Sequence, residues 1–116
     1  PVVPYDTNIW DEYHNRELLK PNLAFLNSRR NELKDLDSIH ETIWVVIRGF
    51  EHDFYEEYFK VEKFLKTKYV KYIEIIYGYY GDMYLLVSSR DKSTICNALK
   101  LDGVSFQDNR LVVNIP

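Results

Sequence analysis

The chain has 116 residues, 46% of them hydrophobic and 28% charged, enough to bury the core of one globular domain and too apolar for a disordered tail. Fifteen Lys+Arg against 18 Asp+Glu leave a net charge of −3, the wrong sign for gripping a polyanion through bulk charge. A single cysteine, Cys96, excludes an internal disulfide and a cysteine zinc site, and no apolar run approaches the roughly 18 residues of a membrane span.

The cysteine usage predicts a reducing, intracellular setting. With no start methionine and no signal-peptide pattern, the chain reads as a piece of a longer protein. Ten Tyr, 6 Phe and 2 Trp exceed what a small core needs, which points to a stacking or docking surface.

Acidity is concentrated at the start: residues 1–41 carry 5 Lys+Arg and 8 Asp+Glu, whereas residues 42–116 carry 10 of each. Residues 1–41 are expected to form an extended and helical segment packed on a domain spanning 42–116. Thr7 and Asn8 can cap a helix from about Ile9 to Leu19, which Pro21 would end. A second helix can start at Asn22, with Leu23, Leu26, Arg30 and Leu33 at helical spacing. So narrow a stripe needs a surface to lie on, which makes Trp10, Tyr13, Leu23, Leu26 and Leu33 the candidate contacts.

From Thr42 the pattern becomes strand, helix, strand, strand, helix, strand. Ile43 to Ile47 is apolar at both parities and reads as a central strand, broken by Gly49-Phe50. His52 to Lys66 spaces Phe54, Tyr58, Val61 and Leu65 along one helical face. Tyr69 to Tyr77 and Met83 to Ser88 form a hairpin about the Gly78–Gly81 turn. Ser93 to Leu101 is a helix capped by Asp91 or Ser93 and stopped at Asp102-Gly103, and Leu111 to Ile115 is the last strand. The fold class predicted is α+β: a ferredoxin-like βαββαβ sandwich with an N-terminal helical extension, its four-stranded antiparallel sheet backed on one face by two helices.

Residues 98–113, with Ala98-Leu99, the Asp102-Gly103 turn, Phe106 and Arg110-Leu111-Val112-Val113, resemble the end of an RNA recognition motif (RRM). The resemblance covers residues 42–116. An RRM stacks bases on aromatics of its two central strands. Of the aromatics this pattern calls for only Tyr84 matches: Asp82 and Val87 stand at the other two aromatic positions of the third strand, and Val46 at the stacking position of the first. The nuclear-pore type of RRM also lacks these aromatics, and its first strand ends Gly-Phe, like Gly49-Phe50, while its third opens like Gly81-Asp82. That resemblance implies a nuclear RNA-processing, mRNA-export or nuclear-pore protein that pairs with protein through its sheet face. A second protein-binding branch clamps a partner's tryptophan between an R-x-F motif and an acidic helix. Here Val104-Ser105-Phe106 keeps the phenylalanine without the arginine, and Glu56 and Glu57 lie on the first helix, so Phe106, Glu56 and Glu57 are the candidate pocket.

Strand alternation puts Trp44, Val46 and Arg48 on the open face with Tyr84 and Leu86. One reading of this set is an apolar patch covered by the N-terminal helices, by a protein partner or by a second copy of the chain. The alternative is a displaced platform holding single-stranded RNA weakly. Nothing in the sequence indicates an enzyme, a metal or a cofactor. His14, His40 and His52 fall in three separate segments, Cys96 lies between the apolar positions Ile95 and Ala98 where a buried or half-buried thiol is expected, and Gly78 to Gly81 lacks a phosphate-loop ending.

Overall fold

The computed structural model describes residues 22–33, 41–50, 58–78 and 81–116. In chain order the elements are α1 (Leu23–Glu32), β1 (Thr42–Arg48), α2 (Tyr58–Thr67), β2 (Glu74–Tyr77), β3 (Met83–Ser88), α3 (Lys92–Leu99), β4 (Ser105–Phe106), β5 (Asn109–Arg110) and β6 (Val112–Asn114). The class is α+β. Because β1 is apolar at both parities it must be buried on both sides, and it lies inside a four-stranded sheet of order β2-β3-β1-β6. Every neighbouring pair in that sheet is antiparallel.

One sheet face is closed by α2 and α3. Val45, Ile47, Met83, Leu85 and Val87 point into a core with Val61 and Leu65 of α2 and Ala98 of α3, all buried. The stripe expected on the first core helix is therefore present in Val61 and Leu65, with Tyr58 half-buried beside them; Phe54 lies outside the described residues. On α3 the inward positions are Thr94 and Ala98, four residues apart, which turns Cys96 outward. The cysteine is exposed, contrary to the expectation from its apolar neighbours.

Two stretches differ from the sequence pattern. Tyr69 adopts a left-handed backbone (φ 59°), and its N–H donates to the Lys66 carbonyl while the Val70 N–H donates to Leu65, so this residue ends α2 as a C-terminal cap. The side-chain amide of Asn97 holds the Tyr69 carbonyl at 3.2 Å. Residues 69–73 are spent on this exit, and β2 starts only at Glu74. Between α3 and the last strand the chain forms a small hairpin, β4-β5, that the sequence pattern does not signal. Its turn is Gln107-Asp108, both at positive φ; two-residue turns of this kind ordinarily advertise themselves as Asn-Gly or Asp-Gly.

Gly81 explains how the β2-β3 hairpin meets the end of β1. Its φ is +78°, a Cβ there would sit 1.9 Å from the Phe50 carbonyl oxygen, and its own carbonyl accepts from the Phe50 N–H at 3.2 Å. Only glycine permits that approach. Asp91 caps α3, its carboxylate accepting from both the N–H and the hydroxyl of Thr94 at 3.0 Å. Those hydrogen bonds, the backbone one first, hold the Asp91 carboxyl below its ordinary range.

Candidate functional site

The face of the sheet away from α2 and α3 brings the sequence-predicted residues together. Trp44 stands directly opposite Leu86, and Val46 opposite Tyr84, so the four side chains form a two-by-two array. Trp44, Val46 and Leu86 are buried and Tyr84 is half-buried. The buried Trp44 Nε1 has no hydrogen-bond partner among the described residues.

The cover is α1. Asn22 caps it, its side-chain oxygen accepting from the Phe25 N–H at 3.1 Å. Four residues on, Leu26 is 1% exposed and clusters with Trp44 and Leu86, and Leu33 packs at the edge. Leu23, also expected in contact, points to solvent at 45% exposure, so the apolar part of the stripe reduces to Leu26 and Leu33, with Arg30 half-buried between them. Arg29 adds a polar strut: one guanidinium nitrogen meets Glu74 of β2 at 3.0 Å and another meets Glu32 of its own helix at 3.1 Å. Trp10 and Tyr13 lie outside the described residues.

Where an RNA platform would need a neutral or basic rim, this face carries Asp82. Its side chain is 6% exposed, 3.8 Å from Arg48 Nε, and accepts a long 3.4 Å hydrogen bond from the Tyr84 hydroxyl. Burial raises the Asp82 carboxyl above its ordinary range; Arg48 and Tyr84 pull in the opposite direction without cancelling it. The Tyr84 hydroxyl is raised by burial and then by Asp82. Arg48 is thus engaged with an internal carboxylate, and Tyr84 donates inward.

Phe106, the candidate pocket residue, packs into the molecule. Its ring contacts Phe50 edge-on at 5.5 Å and Phe64 of α2 at 4.7 Å, on the margin of the core. Glu56 and Glu57 lie outside the described residues. So do His14, His40 and His52. Among the described residues no group of three or more His, Cys, Asp or Glu is placed to hold a metal ion, and no helix is long and apolar enough to cross a membrane.

A second surface lies apart from the sheet. A groove of about 840 Å³ runs beside the C-terminal half of α2 and the segment leading to β2, between Phe59, Lys63, Lys66, Tyr69, Lys71 and Tyr72, with buried Val70 in its floor. Phe59 and Tyr69 are 65% and 75% exposed. The i, i+4 spacing suggests a Glu62–Lys66 pair, yet Glu62 instead accepts from the Tyr77 hydroxyl at 2.9 Å, and Tyr77 is itself stacked on Tyr58 at 4.3 Å. The signal available in sequence was the run 58–72, which holds five lysines and one glutamate.

No family model matches this chain, and no curated protein matches it.

Proposed function

We propose that residues 42–116 form an atypical RRM-type, ferredoxin-like domain that works as a protein-interaction module, in a nuclear protein of RNA processing, mRNA export or the nuclear pore. No catalytic role is assigned to it. The observation that carries this reading is the burial of Trp44 beneath Leu26 of α1, with Tyr84 half-buried against the same cluster: the rings on which a base would stack are packed against protein. The strand order β2-β3-β1-β6, with one helix after β1 and one after β3, supports the fold assignment, and the nuclear setting rests on the resemblance to the nuclear-pore type of RRM at Gly49-Phe50 and Gly81-Asp82.

Stacking on an exposed aromatic contributes about 1–3 kcal/mol per base, and that contribution is forfeited when the ring is covered. Titration of isotope-labelled protein with pools of short single-stranded RNA tests the reading. Affinity at the sheet face should be weaker than about 10 μM near physiological salt, with the amides of Trp44, Val46, Tyr84 and Leu86 unmoved. Nanomolar binding that shifts those amides, and that Trp44→Ala and Tyr84→Ala each weaken, would replace it with a displaced RNA platform.

A further inference from the structure

Charge in this chain is segregated more sharply than its net value of −3 suggests. Residues 58–72 carry five lysines and one glutamate, while the remainder carries 10 Lys+Arg against 17 Asp+Glu. Lys63, Lys66 and Lys71 line the groove beside α2, and none of the three makes an ion pair among the described residues. Lys71 feels the Asp91 carboxylate, whose hydrogen bonds go to Thr94 at the cap of α3, without forming an ion pair with it. Glu62, the one acid in the groove, accepts from the Tyr77 hydroxyl and keeps its charge, so the groove sets three lysines against one carboxylate. Between the lysines stand two large rings with no cover, Phe59 and Tyr69.

We infer that this groove is the docking site for a short acidic peptide segment bearing an apolar or aromatic anchor, with Lys63, Lys66 and Lys71 meeting the carboxylates and Phe59, Tyr69 and Tyr72 receiving the anchor. The inference deepens the protein-interaction reading and rests on it. Concavity favours an inserted side chain, since the groove has an apolar floor at Val70 with cations on its rim. The charge distribution favours a short ligand. At physiological salt a charge is felt over about 8 Å, so a few carboxylates over the groove see chiefly lysines, whereas a long polyanion running past it meets the acidic excess of the rest of the molecule. Phe and Tyr are among the residues enriched in the core of protein interfaces, and complementary charge sets encounter rate and selectivity.

The test uses a fluorescently labelled peptide, Asp-Glu-Glu-Trp-Glu-Asp-Leu-Glu-Glu, its Asn/Gln counterpart, and an oligouridine of the same length. The acidic peptide should bind saturably, shift amides within residues 59–72, and weaken as salt rises. Charge reversal of the three exposed lysines together (K63E, K66E, K71E) should weaken it by more than about tenfold. Phe59→Ala, a truncation of a mostly exposed ring that leaves the core alone, should weaken it severalfold while the amide spectrum of the free protein stays folded. Absence of saturable binding, equal binding of the Asn/Gln peptide, or indifference to the lysine reversals overturns the inference. Tighter binding of oligouridine at these same amides overturns it in favour of a nucleic-acid groove. Failure here with the β1 and β3 amides silent to RNA sinks the groove alone, whereas RNA shifts at Trp44 and Tyr84 sink the underlying reading.

Discussion

The two faces of the sheet are built from the same strands and closed by different means. Toward α2 and α3, Val45, Ile47, Leu85 and Val87 meet Val61, Leu65, Ala98 and Leu101 in one continuous buried cluster, and the covering helices are connections between the strands themselves. On the other face the buried cluster comprises Leu26, Trp44 and Leu86, and the cover is a ten-residue helix that precedes the sheet in sequence. A helix that short is marginal without packing. The first face makes the fold, and the second is a cover held by one leucine, a half-buried neighbour and the Arg29–Glu74 contact.

The largest effect should follow from breaking the first face. Leu85 is fully buried in the centre of β3, and Leu85→Ala should cost about 3 kcal/mol, from lost transfer energy plus a cavity that strands on both sides prevent from closing. Chemical denaturation should register it as one cooperative loss, with β1, β3 and α2 failing together. Leu26→Asp acts on the second face alone. Burying a leucine side chain contributes about 2 kcal/mol, enough for its replacement by a charge to release α1. Hydrogen exchange should then accelerate along residues 23–33 while β1 and β3 amides stay protected. If the strands lose protection together with α1, the two faces form one cooperative unit and the contrast between them fails.

The same contrast governs how much was legible in the sequence. Residues of the helix-side core announce themselves by period: Val61 and Leu65 at four, Val45 and Ile47 at two, with a glycine or aspartate following β1, β3 and α3. The array of Trp44, Val46, Tyr84 and Leu86 was legible for the same reason, since alternation fixes which residues share a face once two strands pair. What covers it was legible only as a need. The spacing of Leu23, Leu26, Arg30 and Leu33 shows a stripe, but which of these residues is buried depends on the angle at which the helix lands, and Leu23 ends in solvent. Local backbone devices were the least legible. Tyr69 and Gln107 hold left-handed conformations that their residue types disfavour; the Asn97 amide on the Tyr69 carbonyl fixes the first, and the β4-β5 pairing encloses the second. The lysine groove was hidden by a different effect: its five lysines are balanced by acids elsewhere in residues 42–116, so any count over the whole segment returns zero.

The smallest expected effect is the one that most sharpens the description of the second face. Asp82 is 5% exposed, beside Arg48 and Tyr84, and its carboxyl is raised because burial outweighs both partners. In the unfolded chain it ionises near its ordinary pKa of about 3.9. Between that value and its raised folded value the folded state binds more protons than the unfolded state, so the contribution of Asp82 to stability falls as pH rises through this interval and is constant above it. Asp82→Asn keeps the shape and cannot ionise. Its stability relative to the natural chain should therefore climb across that interval and level off, ending within about 1 kcal/mol of the natural chain at neutral pH, because the relief of desolvation is offset by the loss of attraction to Arg48. Thermal melts of the two proteins from about pH 3 to pH 7 read the difference directly. A variant that instead loses ground steadily as pH rises would show that the carboxylate is drawn to Arg48 more strongly than burial repels it, and the rim of this face would then be held by an ion pair in addition to the packing of Leu26.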